Sequence, residues 1–305
     1  MSLPAAYLGV ILIWSTTPLG IQWSVQGLDF AFAVTARMAI GLALCIGLML
    51  ATRTQLATSP DARRLYAISG VSLAVSMLLT YWGAQHVPSG LISVIFGLSP
   101  LATGVFAALW LSERTLTGQR IAGLMFALAG LWAIFGQPWP GGSHGTLGTL
   151  AVVGGMGIQA LGLVWIKRLN VRVSSLAITT GSLAVATPLF ALAWLVSTGG
   201  HGPAEIPARA GVAIVYLGVL GSVLGFTLYY YVIKHLDTGR VALITLVTPV
   251  TALLLGQTLN AETIPLPGWA GIVLIGAGLT LYEWRALSGL RLCGLRSARV
   301  QADKH

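Results

Sequence analysis

The sequence predicts an all-α integral membrane protein of ten transmembrane helices, arranged as two five-helix inverted repeats. Three observations predict it: the chain is too apolar for water, its apolar runs have the length of a bilayer, and its second half repeats residues of its first. Only 8% of the 305 residues are charged and the mean hydropathy is +0.84. Soluble domains carry about 25% charged residues, so too little polar surface exists here to coat a globule. Runs of about 20 apolar residues are what an α-helix needs to cross the hydrocarbon core. A transmembrane barrel would instead show short stretches of alternating polarity.

Reading apolar runs between turn and charge signals gives ten spans, at 4–25, 30–52, 65–85, 88–111, 117–136, 146–167, 173–196, 209–233, 239–259 and 266–285. Residues 3–25 lack a basic leading region and form too long an apolar run for a cleaved signal, despite Ala31-Phe32-Ala33. They are read as a retained first span. Placing the basic residues then orients the chain. One side collects Arg53, Arg63, Arg64, Arg114, Arg120, Lys167, Arg168, Arg172, Lys234 and Arg240, and the tail adds Arg285, Arg291, Arg296, Arg299 and Lys304. The other side holds Arg209, and Arg37 lies within a span. Cytoplasmic connections attract Lys and Arg, so a multi-pass protein of the cell (inner) membrane with both termini cytoplasmic is expected. The net charge of +9 is by this reading a topology signal. The lipid bilayer is the expected partner, and nucleic acid is not.

Self-similarity is the next signal. Residues 81–113 align with 230–262 at a constant offset: Tyr81 with Tyr230, His86 with His235, Gly90 with Gly239, Ile95 with Ile244, Pro100 with Pro249 and Glu113 with Glu262. After a one-residue gap Gly123 and Gly130 match Gly271 and Gly278. The division expected is 1–137 for spans 1–5, 138–286 for spans 6–10, and 287–305 for a basic cytoplasmic tail. Five spans is an odd number, so the second half enters the bilayer in the opposite sense. Two inverted halves give two nearly equivalent packings around a central route, the basis of alternating access.

The ordered set Trp14-Ser15-Thr16 with Pro18, Arg37, Tyr81, Ser99-Pro100, Glu113-Arg114, Gly123 and Gly130, answered by Tyr230, Thr248-Pro249, Glu262, Gly271 and Gly278, resembles the EamA-type metabolite exporters of the drug/metabolite transporter superfamily. The resemblance covers roughly residues 4–285. It implies proton-linked or facilitated movement of amino acids or similar small molecules, usually outward. Spans 6 and 7 depart from the pattern: span 6 has Gln159 where span 1 has its Trp-Ser-Thr cluster, and span 7 has no counterpart of Arg37.

Arg37 is the cation well inside a span. Such a charge costs about 2.5–3.5 kcal/mol to insert and is a functional candidate by default. Two readings stay open: it receives a substrate carboxylate, or it snorkels outward or ties down backbone carbonyls. The face Ser69, Ser72, Ser76 and Thr80 of span 3 is read as packing, as is the Gly221/Gly225 pair of span 8. Pro18, Pro100 and Pro249 are expected to kink their helices, and kinked helices near the midplane often line a substrate site. Trp14 and Phe96 near midspan, with Tyr81 and Tyr230 nearer the ends, offer aromatic faces to an organic ligand. Trp82, Trp165, Tyr229 and Tyr231 belong to the same set of aromatics. Thr17, Ser93, Ser99, Gln159, Thr245 and Thr248 supply polar company.

Absences narrow the function further. No Asp or Glu lies deep in a span, so the intramembrane glutamate of a small multidrug-resistance antiporter is missing. His86 and His235 fall near span ends and read as loop residues. Cys45 and Cys293 form no disulfide framework. No catalytic constellation, metal site, cofactor site or nucleotide motif is present, which argues against a membrane enzyme. The remaining alternatives are an uptake carrier, an exchanger of activated sugars, or a channel-like facilitator. Glycine-rich spans permit a homodimer without requiring one.

Overall fold

A computed structural model describes residues 2–111, 117–135, 143–169, 171, 173–236, 238–262 and 266–284. Every regular element among them is helical. The first half holds α1 (Leu3–Ser24), α2 (Phe30–Thr52), α3 (Pro60–Gly83), α4 (Ser89–Gly97), α5 (Ser99–Trp110) and α6 (Gly118–Phe135). The second holds α7 (Ser143–Leu169), α8 (Ser175–Thr198), α9 (Ala208–Tyr216), a π-helical segment (Leu217–Leu224), α10 (Gly225–His235), α11 (Thr238–Asn260) and α12 (Leu266–Tyr282).

Short polar residues start these helices by satisfying the free N–H groups of the first turn. The Asp29 carboxylate accepts from Ala31 N at 3.0 Å and Phe32 N at 3.1 Å, opening α2. Ser59 and Ser174 cap α3 and α8 in the same way, each at 3.3 Å. Arg53 ends α2 in the left-handed region, at φ 52.

Among the described residues, eight helices are long and apolar enough to cross a membrane: Leu3–Ser24, Phe30–Thr52, Pro60–Gly83, Ser89–Trp110, His144–Leu169, Ser175–Thr198, Ala208–Tyr229 and Leu243–Asn260. The two shorter ones, α6 with 18 residues and α12 with 17, lie against each other. Their contact is made by glycines. A Cβ on Gly123 would stand 2.6 Å from the Gly278 carbonyl oxygen, and one on Gly130 2.5 Å from that of Gly271. Large apolar side chains face outward around the bundle, among them Trp132, Val196 and Leu266 at 77%, 79% and 83% exposure. A water-soluble monomer does not carry apolar surface of that extent, so the chain is a multi-pass membrane protein.

Two spans are less regular than their hydropathy suggests. Span 4 breaks at Leu98, and Pro100 falls in the first turn of α5, where its missing N–H has no intrahelical acceptor to serve. Pro18 and Pro249, by contrast, lie within continuous helices. Span 8 carries the π-helical segment, and the Gly221/Gly225 pair read as packing lies across its end, a Cβ on Gly225 standing 3.2 Å from Ile13 Cγ2. Gly221 belongs to the widened segment and Gly225 opens α10. The Ser222 hydroxyl donates to the Leu217 carbonyl five residues back at 3.1 Å, filling the wider turn.

The serine face of α3 is a packing seam. Ser182 of α8 donates to Ser69 at 2.7 Å, and Gly155 and Gly162 of α7 admit Ser76, Thr80 and Ser72. α1 lies against α9, α10 and α11, while α4 lies along α11 and α5 along α7. Cys45 is buried as a free thiol; Cys293 lies outside the described residues.

Candidate functional site

Seven residues into α2, about 10 Å from its first residue, Arg37 is only 5% exposed. Its Nη1 donates to the Tyr81 hydroxyl of α3 at 3.1 Å, and its Nε donates to Ser222 Oγ of the π-helical segment at 3.4 Å. Tyr81 is fully buried, and its ring centroid lies 6.0 Å from the guanidinium carbon. Both hydrogen-bond partners are therefore neutral hydroxyls. Among the described residues, the Arg37 side chain bonds to these hydroxyls and to no backbone carbonyl, and it does not reach the surface. A guanidinium has five donors, and on its Nη2 side the wall is glycine. A Cβ on Gly221 would lie 3.3 Å from Arg37 Nη2 and 3.8 Å from Thr17 Oγ1. Thr17 donates its own proton to the Ile13 carbonyl at 2.6 Å, leaving the oxygen as an acceptor.

The other candidates fall into separate groups. Trp14 packs on Tyr229, ring centroids 4.5 Å apart and tilted by 45°. Ser93 is buried on α4 and Phe96 half-buried beside it, with Ser99 at the break. Across from them on α11 stand Thr245, the buried Thr248 and Pro249; a Cβ on Gly97 would come 3.1 Å from Pro249 Cγ. Gln159 sits in the α3–α7 seam, where its carbonyl accepts from Ser76 Oγ at 3.3 Å. The Tyr230 side chain lies outside the described residues. The expected set of aromatics is dispersed: Trp82 pairs with His86, Tyr231 with His235, and Trp165 is 44% exposed.

Arg37, Tyr81 and Thr17 thus converge, joined by Ser222 and Gly221, which sequence reasoning did not assign to a site. The signal for Ser222 was faint: a single hydroxyl in a run of Gly, Leu and Val. Tyr81, weighted below Trp14 and Phe96 because it lies near a span end, is the aromatic in direct contact with the cation.

A second polar group joins α1, α4, α9 and α11 at one end of the bundle. The Glu262 carboxylate accepts from Ser89 N at 3.1 Å and Gly90 N at 3.3 Å. Asn260 Nδ2 donates to Glu262 at 3.0 Å and to Gln22 Oε1 at 2.8 Å, and Trp23 Nε1 donates to Asn260 Oδ1 at 3.0 Å. Arg209 lies over the Trp23 ring at 4.1 Å and reaches the Leu259 carbonyl at 3.4 Å. Nearby, the His86 and His144 rings stack with centroids 5.6 Å apart, and His86 titrates below its ordinary range because burial, then the facing His144, disfavours its cationic form. A cleft of about 450 Å³ between the α1–α2 turn and the α8–α9 connection is lined by Asp29, Phe32, Trp194, His201 and Glu205, among others.

Apolar helices of bilayer length packed around a buried cation define a polytopic membrane protein. The chain belongs to the EamA-like transporter family, whose pattern matches residues 4–136 and again 146–283. It is similar to "Uncharacterized transporter YvbV" of Bacillus subtilis, 24% identical over 93% of this chain and 94% of that protein. It is also similar to a "Probable terminal-alkyne amino-acid exporter" of Streptantibioticus cattleyicolor, 26% identical over 92% and 93%. A solved structure described only as "Crystal structure of protein" shares the fold, with a TM-score of 0.64, 22% identity, and coverage of 93% of this chain and 97% of that one. The protein is a membrane transporter and not an enzyme.

Proposed function

We propose that the protein is a secondary carrier that moves small carboxylate-bearing metabolites, of the amino-acid kind, outward across the cell membrane by alternating access. The observation that carries the reading is the environment of Arg37: a cation 5% exposed, its hydrogen bonds made to neutral hydroxyls, with glycine beside its remaining donors. Burying a guanidinium without an anion is costly, and a substrate carboxylate would supply the missing charge bidentately. Tyr81 and Ser222 hold the fork, Thr17 and Gly221 border the slot, and Trp14 and Phe96 flank the route to it. Ser93 and Ser99 of span 4, with Thr245 and Thr248 facing them from α11, are its polar lining. The relative named as an amino-acid exporter supports the substrate class and the direction.

Ten spans in two inverted halves, 1–137 and 138–286, supply the moving parts. The family pattern occurring twice supports this arrangement, as do the glycine contacts. Gly123 corresponds to Gly271 and Gly130 to Gly278, and the contacts made are Gly123 with Gly278 and Gly130 with Gly271. That exchange is what a two-fold relation between copies requires. The basic side is cytoplasmic by the charge rule, with both termini on it.

Counterflow in proteoliposomes tests the proposal. Preloaded amino acids are expected to drive uptake of a labelled one in the wild type, while Arg37→Ala exchanges none and keeps its fold. Exchange of neutral solutes or activated sugars with no preference for carboxylates would overturn it.

A further inference from the structure

We infer that Glu262 is the latch that holds the outer ends of the two halves together, and that its release opens the carrier to the outside. The inference rests on the two-half arrangement and orientation proposed above, though not on the identity of the substrate.

The first turn of α4 has free N–H groups and, at Pro88, no side-chain cap of its own. Its cap comes from 173 residues away: Glu262, just beyond α11, gives one oxygen to Ser89 N and the other to Gly90 N. A carboxylate at a helix N-terminus gains from both the hydrogen bonds and the helix dipole. Here that gain is available only while the end of α11 stays against the start of α4. Asn260 extends the tie to α1 through Gln22 and Trp23, and Gln22 Nε2 returns to the Val87 carbonyl at 3.3 Å. Arg209, the single basic residue expected on this side, tethers α9 to the last turn of α11 and to Trp23.

Beneath the latch, α4 and α11 are in close contact. A Cβ on Gly90 would stand 2.6 Å from Leu253 Cδ2 and 3.0 Å from its Cα, and Gly97 meets Pro249. Gly104, seven residues further, meets Tyr282 of α12 instead, because the break at Leu98 redirects α5 toward α7. Span 4 therefore grips α11 along its outer half and departs from it along its inner half. The carrier is latched shut outside, and Glu262 is the group whose bonds part when the α4–α11 seam opens. Ser93 lies on the α4 face shared by Gly90 and Gly97 and is buried at 7% exposure, so it reports the opening.

The test uses the full-length protein in membranes with Cys45→Ala, Cys293→Ser and Ser93→Cys, labelled from outside with a membrane-impermeant maleimide. Glu262→Gln keeps the shape but offers one acceptor oxygen to two N–H groups. It is expected to raise outside labelling on the order of tenfold, the ratio that losing a charge-assisted bond implies. Asn260→Ala, which leaves the carboxylate in place, is expected to raise it less and serves if Glu262→Gln fails to fold. Labelling unchanged in both folded variants overturns the latch. Because accessibility needs no substrate, failure of the wild type to exchange amino acids would count against the proposed cargo and leave this result standing.

Discussion

The carbonyl oxygen of Gly278 lies 2.6 Å from where a Cβ on Gly123 would stand. The next neighbour is also backbone, Tyr282 N at 2.9 Å, and the third is Tyr282 Cβ at 3.1 Å, so nothing can rotate aside. Gly123→Ala and Gly130→Ala must therefore separate α6 from α12, at a cost of about 1–3 kcal/mol each. Gly47→Ala, which meets nothing within 4 Å, is expected to leave stability unchanged or slightly raised. Thermal unfolding in detergent distinguishes the two outcomes.

Tyr81→Phe keeps the ring and removes the hydroxyl that fixes Arg37 Nη1. A hydrogen bond to a charged group contributes about 1.5–3 kcal/mol, so affinity for a carboxylate substrate is expected to fall roughly 10- to 100-fold. Arg37→Lys should cost more, because a point charge cannot serve a carboxylate and two hydroxyls in one plane. Equilibrium binding of a labelled amino acid to both variants checks the order.

Asp29→Ala removes the oxygen that accepts from Ala31 N, Phe32 N and Ser197 Oγ. A lost N-cap costs about 0.5–2 kcal/mol, while Asp29→Asn, which still caps, should cost a few tenths. The melting temperatures of the two variants should separate accordingly.

His86 titrates below its ordinary value of 6.5 because burial and His144 both oppose its charge. The unfolded chain therefore binds the proton more readily, and the stability from neutral His86 is present above about pH 6.5 and lost as pH falls below it. His144→Ala should shrink that loss. Melting curves between pH 8 and pH 5 read the difference.

Orientation has its own check. Cys293 is expected to react with an impermeant thiol label only from the cytoplasmic face, and Glu205→Cys only from the other. The reverse pattern for either would remove the basis for the sidedness assigned to Glu262.

Much of the helix plan was legible because bilayer thickness leaves a coarse mark: the apolar runs at 30–52 and 173–196 became α2 and α8 within two residues of the expected limits, while α3 starts at Pro60, five residues before the expected 65, where Ser59 caps it. Arg37 stood out because a lone charge among apolar residues needs a reason. Its partners were not legible. Ser222 reaches it through a π-helical turn, and hydropathy carries no trace of whether a turn closes at four residues or five. The break at Leu98 was equally hidden, since Pro100 and Pro249 occupy matching positions and only one adjoins an interruption. Glu262 was visible as a repeated residue, but its task depends on Ser89 and Gly90 arriving from the other half of the chain.

That unequal treatment of two matched prolines carries a thermodynamic consequence. Were the halves identical, the inward- and outward-facing forms would have equal free energy and an empty carrier would divide its time evenly between them. In the carrier proposed above, a span 4 interrupted at Leu98 opposite a continuous span 9 would lift the degeneracy and give the unloaded protein a resting side. Such a preference changes how fast solute crosses from either direction, yet it leaves the equilibrium distribution untouched. Accumulation against a gradient must draw on a second, coupled flux.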